Sequence, residues 1–391
     1  MISKQIKITI IGGGIGGLVT AIALHKKGFN PIVFEKATAL KPIGAGIVLS
    51  TNAMNALSKI GLSDEVLSLG APVNTFQLQD HKENALNTTD FDYLGEKYGY
   101  PAVGISRSDL QKILFQALPE ESVRLGYEFN SLEKQERSLL IKFEGKESIK
   151  SDIVIGVDGL NSKVRTDLFG NTNLRYSGQA GWRGLGPLPK QVKLDQFFES
   201  WGPGQRFGAV KINAKQVYWY VGINAPTRTL SNSGTKSKKK ILSLFKGWHD
   251  PIQELIQETS SKDIIQTDIF DSKPISQWYS NNVILLGDAV HPTTPNLGQG
   301  AGMAIESALI LANCLSSKDT VSDAFFNYQA LRKNRTKWVT SQSWLWGKLS
   351  QINSPLACYL RNKSMIFSGN IAPKFIEENQ IKKLLGYQVE F

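Results

Sequence analysis

The chain has 391 residues and 43.2 kDa. At roughly 100–200 residues per domain that is enough for two or three domains, and too much for a lone binding module. Hydrophobic residues make up 41% and charged residues 20%, which excludes a disordered or fibrous chain. Forty-five Lys and Arg against 34 Asp and Glu give a net charge of +11, which favours anionic surfaces, cofactors or substrates without choosing among them.

The first thirty-five residues predict strand, glycine turn, helix, strand: Ile6 to Ile11, Gly12 to Gly17, Leu18 to Lys27 and Pro31 to Glu35. Gly12, Gly14 and Gly17 have the G-x-G-x-x-G spacing, which permits a tight turn and lets backbone approach a pyrophosphate seated on the helix N-terminus. Glu35 stands where a carboxylate accepts the ribose hydroxyls of a dinucleotide. From Ala71 to about Pro101 the pattern is short, irregular and polar, read as an excursion into a second domain. A helical period then runs from Ser106 to Leu118.

A second apolar strand, Ile153 to Val157, ends at Asp158-Gly159, and a short capped helix follows from Ser162 to Phe169. Between about Asn173 and Thr267 the alternation is that of antiparallel strands, followed by a helix near Lys238 to Trp248. In these strands Arg206 and Gly208 share one face, as do Tyr218 and Tyr220, while Arg183 follows Trp182. The lysine run Lys236 to Lys240, after the polar stretch Ser231 to Thr235, reads as a solvated loop entering a helix. It has no interleaved aromatic residues for nucleic-acid binding. A third strand, Val283 to Leu286, ends at Gly287-Asp288, and long helical patterns run from Gly300 to about Leu360 with Trp338, Trp344 and Trp346. Three strand ends carrying glycine and carboxylate belong to one doubly wound sheet, whose carboxyl edge binds ligands.

Cys314 and Cys358 fit neither a disulfide framework nor a metal spacing, and no metal site is expected from the four histidines. His291 reads as structural rather than as a base. No stretch reaches the roughly 18 consecutive apolar residues of a membrane span, and the apolar start meets glycines instead of a cleavage site, so a cytoplasmic protein is expected. The tryptophans and basic residues of the C-terminal helices are read as docking on the cofactor domain, with an interfacial helix as the alternative.

The three motifs together make the chain resemble the class A, p-hydroxybenzoate hydroxylase-like flavoprotein monooxygenases over nearly its whole length. They are Gly12-Gly13-Gly14-Ile15-Gly16-Gly17, Asp158-Gly159-Leu160-Asn161-Ser162-Lys163-Val164-Arg165 and Gly287-Asp288-Ala289-Val290-His291-Pro292. The resemblance implies a Rossmann-like α/β FAD-binding domain (GR2-type) over 1–72, 101–172 and 268–335, an inserted, mostly antiparallel β-sheet substrate domain over 73–100 and 173–267, and a C-terminal helical segment over 336–391. It implies FAD bound by Gly12, Gly14, Ile15, Gly16, Gly17 and Glu35. Lys36, Ala45 and Gly46 pass over adenosine and flavin, and Arg107 with Gln111 lies beside the pyrophosphate. Asp158 and Gly159 serve FAD and the nicotinamide cofactor, and Gly287 with Asp288 the ribityl chain. Pro295, Gly298, Gly300 and Ala301 hold the isoalloxazine edge.

Within the family the run from His291 to Gly300 is closest to salicylate hydroxylase-like, urate hydroxylase-like and zeaxanthin epoxidase-like members. Arg206 and Tyr218 match pocket residues of the urate hydroxylase, with Arg183 and Pro295 added as catalytic-site candidates. Asn296 replaces that enzyme's Asp and brings the run nearer the epoxidase pattern. The implied reaction has NADPH or NADH reduce FAD, and O2 add at flavin C4a. The hydroperoxyflavin then gives one oxygen atom to an aromatic or heteroaromatic small molecule, anionic rings included. Alternatives on the same fold are an epoxidase, a tetracycline-type inactivating monooxygenase, and a flavin reductase that puts no oxygen into product. A monomer and a homodimer are equally compatible with the sequence.

Overall fold

The computed structural model describes residues 2–39, 45–136, 138–171, 173–192, 194, 196–227, 234–371 and 380–391. Its first sheet has six strands in the order Tyr279–Ser280, Val283–Leu285, Ile153–Gly156, Ile8–Ile11, Ile32–Glu35 and Val123–Leu125. All neighbours pair in parallel except the edge pair of Tyr279–Ser280 with Val283–Leu285. Parallel strands are covered on both faces and so run continuously apolar. Every residue of Ile8–Ile11 and of Ile153–Gly156 is buried. The helices Ile15–Lys26 and Gly300–Ser317 contact each other and contribute their apolar residues to the same core. The register pairs Ile11 with Gly156 and Gly156 with Leu285, so the three motif-bearing strand ends lie side by side. The expected doubly wound sheet is borne out.

The second sheet has seven strands in the order Ile264–Ser272, Leu174–Pro187, Gln216–Asn224, Gln205–Lys211, Phe197–Gly202, Thr75–Asp80 and Ala85–Asp90. It is antiparallel apart from the pairing of Phe197–Gly202 with Thr75–Asp80. Alternation splits its side chains between two environments. Trp182, Phe198, Phe207, Trp219 and Val221 share a core with Ile241, Phe245, Ile252 and Leu255, from the helices Gly234–Leu244 and Ile252–Glu258. Trp219 is fully buried and donates to Thr259 Oγ1 at 2.8 Å. The opposite phase, Arg183, Tyr218, Tyr220, Arg206 and Glu199, faces the first domain.

Several local readings change. The irregular stretch from Ala71 to Pro101 contains three strands and the helix Phe91–Tyr98, capped by Asp90 accepting from Tyr93 N at 2.9 Å. The lysine run lies within the helix Gly234–Leu244 rather than in a loop before it, and that helix ends short of Trp248. Ser231 to Ser233 lie outside the described residues. The strands Phe129–Lys134, Leu139–Phe143 and Lys146–Ser151 form a three-stranded antiparallel sheet. The strand Ile264–Ser272 and the helix Val321–Ser350 run unbroken across the expected divisions at 267 and 335. The helix Gly300–Ser317 is long and apolar enough to cross a membrane, and 72% of it is buried inside the fold. Both cysteines are buried and unpaired.

Candidate active site

The glycine turn separates into two kinds of position. A Cβ on Gly12, at φ +113°, would lie 2.4 Å from the Val157 carbonyl oxygen, and one on Gly17 would lie 1.8 Å from the Gly12 carbonyl oxygen. Both glycines are required by the turn itself. Gly14 differs: it has an ordinary extended φ of −74°, is exposed, and a Cβ there would meet no protein atom within 4 Å. Nothing in the fold asks for glycine there, whereas a ligand close to the N-terminus of Ile15–Lys26 does. Ile15 and Gly16 are buried behind it.

Around this turn the expected cofactor residues converge. Glu35 accepts from the backbone N–H of Gly13 at 2.6 Å and of Ala37 at 2.9 Å, which fixes its carboxylate beside the turn. Gln111 donates to the Gly13 carbonyl at 3.0 Å, and Arg107 N–H donates to the Ala45 carbonyl at 2.9 Å. Lys36 is exposed nearby. Asp158 accepts from the Ser162 hydroxyl at 2.5 Å and from Val164 N–H at 3.1 Å, so it caps the helix Lys163–Phe169; Gly159 follows at φ +81°. Arg165, inside the same motif, donates to the Leu160 and Ala289 carbonyls and ties the second strand end to the third.

Gly287 takes φ +63°, and the Asp288 side chain is open to solvent yet surrounded by protein, as at the wall of a deep cleft. Those surroundings raise its carboxyl pKa, opposed by the charge of Arg107. Pro295–Leu297 forms a single turn, with Pro295 exposed and Asn296 and Leu297 half-buried, ended by Gly298 at φ +64°, and Gly300 and Ala301 open the helix Gly300–Ser317. Gln299, fully buried, donates to Ser50 Oγ and accepts from Asn52, which pins this turn in place. Bare helix N-termini, an exposed cation at Arg107, the Asp288 carboxylate and an open glycine position fit FAD: they match its pyrophosphate and its polyol.

The sheet's polar face closes the other end. A Cβ on Gly46 would lie 2.3 Å from Tyr218 Cβ, so Gly46 lets its strand cross directly over Tyr218. Burial raises the Tyr218 phenol, opposed by Arg183, Arg107 and Arg206, with Arg183 within hydrogen-bond reach of its hydroxyl. Arg107 therefore acts on both Asp288 and Tyr218, and links the glycine-turn cradle to the polar face of the sheet. Arg206, expected among the pocket residues, is paired within the protein: it donates to Asn296 Oδ1 and to Glu199 at 3.5 Å. Asn296 is held by donating to Thr294 Oγ1 and the Ser343 carbonyl, both at 2.8 Å.

Glu199, Asn52 and Gln299 were not singled out by the sequence reading. For Glu199 the signal was present: in Phe197-Phe198-Glu199-Ser200-Trp201 a carboxylate alternates in phase with Trp201 inside an apolar strand.

His291 is buried, with Nε2 3.2 Å from Ser307 Oγ and its ring beside Trp278. Burial first, and then the Arg332 guanidinium, push it down to about 3. It is neutral near neutral pH. Because the unfolded chain takes up a proton below about 6.5 and the folded chain does not, stability falls as pH drops from about 6.5 towards 3. At pH 5 the expected loss is about 2 kcal/mol relative to pH 7.5. Denaturant unfolding at the two pH values should show a smaller difference for His291→Asn than for the wild type; equal differences would refute this assignment.

The profile of the FAD binding domain family matches residues 5–343. The chain is 36% identical to an aurachin C monooxygenase/isomerase of Stigmatella aurantiaca, over 92% of this chain and 93% of that protein. It is 30% identical to a 2-heptyl-3-hydroxy-4(1H)-quinolone synthase of Pseudomonas aeruginosa, over 91% and 92%. A Klebsiella pneumoniae protein crystallised with FAD and uric acid has the same fold, with a TM-score of 0.90 at 24% identity and 97% of each chain covered. The chain thus belongs to the FAD binding domain family and, within it, to the class A flavin monooxygenases.

Proposed function

We propose that the protein inserts one oxygen atom from O2 into a heteroaromatic small molecule, using FAD and NADH or NADPH, and that its ring is of the 4-quinolone type. The observation that carries the reading is that the charge of Arg107 acts both on Asp288, in the open cradle that begins at Gly14, and on Tyr218, on the sheet face that also carries Tyr220 and Arg183. The names of the two relatives at 30% identity or more favour this ring class: one is a synthase of a 3-hydroxy-4-quinolone, the other an aurachin C monooxygenase. Residues 1–72, 101–172 and 268–335 would hold the flavin, and 73–100 with 173–267 the ring.

Bound FAD would supply reduction of O2 at the expense of NAD(P)H and transfer of one oxygen atom to the ring. The chain's own residues position and shield. The Gly14 turn and Arg107 would hold the pyrophosphate, Asp288 the ribityl hydroxyls, and the Pro295–Gly298 turn the edge of the flavin ring system. Tyr218 keeps its proton and donates it as a hydrogen bond to a ring oxygen, so the reacting carbon stays in line. Phe197, at 6.5 Å from Tyr220, keeps that side of the cleft apolar, and water excluded there limits wasteful peroxide release.

Tyr218→Phe should retain its flavin and lose roughly tenfold in coupling of NAD(P)H oxidation to product, the size expected for one buried hydrogen bond. Peroxide and product counted together on 2-heptyl-4(1H)-quinolone check this. Unchanged coupling would remove Tyr218 from the site, and a wild type that oxygenates none of a panel of quinolones, aromatic acids and purines would remove the function.

A further inference from the structure

Tyr218 and Tyr220 stand side by side with ring centroids 5.9 Å apart, yet they present opposite hydrogen-bonding ends. Tyr220 donates its only proton to Glu199 Oε2. The other oxygen of that carboxylate accepts from Trp201 Nε1 at 2.5 Å and from Arg206 at 3.5 Å. Glu199 is 7% exposed and Arg206 3%, so both sit behind the cleft wall, whereas Tyr220 is only half-buried. A phenol whose proton is committed to an acceptor has only lone pairs left for a ligand. At Tyr218 the neighbour is the Arg183 guanidinium, which can only donate, so the Tyr218 proton remains available. Burial raises both phenols, and the Glu199 charge raises Tyr220 further, so each keeps its proton near neutral pH.

The Arg206 charge is spent in the same way. Arg206 is turned towards Glu199 and Asn296, which leaves it poorly placed to receive a ligand carboxylate.

We propose that Glu199 is a specificity-determining residue acting through Tyr220: it makes the pocket an acceptor at Tyr220 and a donor at Tyr218, and so selects a neutral ring carrying both an N–H and a carbonyl over a ring carrying a carboxylate. This deepens the reading above and rests on it. A carboxylate brings no proton for the Tyr220 oxygen and meets the negative charge of Glu199, whereas a lactam-like ring satisfies both phenols. Leaving one buried polar group unmatched costs roughly tenfold to a hundredfold in preference.

The test uses the flavin-loaded full chain and calorimetric titration with three matched ligands: 2-heptyl-4(1H)-quinolone, its N-methyl derivative, and 2-heptylquinoline-4-carboxylate. Wild type should bind the N–H ring roughly tenfold or more tightly than either other ligand. Glu199→Gln, whose amide can donate to Tyr220, should shrink that preference to within roughly threefold, and so should Tyr220→Phe, which keeps the ring packing. Should Glu199→Gln fail to fold, Tyr220→Phe carries the test alone. The proposal is overturned if wild type prefers the carboxylate or N-methyl ligand, if it binds no quinolone while holding flavin, or if the preference survives in the variants. Flavin content and oxygenated product are measured on the same samples. A protein without flavin or product sinks the monooxygenase reading, and a loaded, oxygenating enzyme indifferent to the N–H sinks only the role of Glu199.

Discussion

Gly14→Ala is expected to yield a protein that folds as the wild type does and purifies without its yellow colour. The added methyl meets no protein atom within 4 Å, and the backbone at φ −74° suits alanine. The folding cost is confined to a poorer N-cap, about 1 kcal/mol or less. The empty space it enters lies at the N-terminus of Ile15–Lys26, where a pyrophosphate must come within hydrogen-bond distance of backbone N–H groups. Displacing that group should weaken FAD by at least roughly a hundredfold, about 2.7 kcal/mol. Flavin absorbance after gel filtration, read beside a urea unfolding curve, checks both halves. Full flavin retention would mean that the pyrophosphate lies elsewhere. The same change at Gly17 tests nothing, since a Cβ 1.8 Å from the Gly12 carbonyl oxygen disrupts the turn itself.

Glu306→Ala should be among the most destabilising single substitutions in the molecule, at about 3–5 kcal/mol, because it leaves two buried guanidinium groups without their counter-ion. Glu306 and Arg332 are fully buried and the Arg335 side chain is 7% exposed. One carboxylate oxygen accepts from Arg332 and Arg335, the other from Arg335 and Asn52, all at 2.7 Å. Burial raises the Glu306 carboxyl, but the guanidinium charges and their hydrogen bonds outweigh it, so it stays below the ordinary carboxylate value. Its contribution is therefore present above about pH 4.5 and lost as pH falls further.

The cluster joins four parts of the chain. Asn52 also reaches Gln299, next to the Pro295–Leu297 turn, and Arg335 donates to the carbonyls of Lys383 and Leu384 near the C-terminus. The urea midpoint should drop sharply in Glu306→Ala and less in Glu306→Gln, which keeps the hydrogen-bonding shape. A shift of Glu306→Ala within that of an ordinary surface substitution, about 0.5 kcal/mol, would contradict this account.

How much of this was readable in advance follows from the range of each interaction. The turn at Gly12 to Gly17, Glu35, Asp158 and Asp288 are placed by short spacings at strand ends, and parallel pairing brings those ends together. Tyr218 and Tyr220 were readable as sharing a face, and so were Arg206 and Gly208, because a strand alternates with period two; that these strands and Arg183 present one common face is set by the cross-strand register. What escaped was pairing across distance. Arg206 reaches Asn296 ninety residues away, and Asn52 reaches Glu306 at a separation of 254. No local pattern reports such partners. As a result, Arg206 read as a ligand cation, although its charge is largely spent inside the protein. Glu306, a lone carboxylate in the apolar run Met303 to Leu311, was legible as an anomaly, but only the packing of Val321–Ser350 against that helix supplies its two arginines.

In the proposed reaction a bound flavin delivers oxygen to a ring held on the Tyr218 face. The most direct measurement is a single-turnover reaction of the purified, NADH-reduced protein with isotopically labelled O2 and 2-heptyl-4(1H)-quinolone, read by mass spectrometry of ring product and peroxide. One labelled oxygen atom in the ring product and little peroxide are expected. Flavin reoxidation with all the label in peroxide or water, on this ring and on the panel of aromatic acids and purines alike, would contradict it and leave a reductase on the same fold.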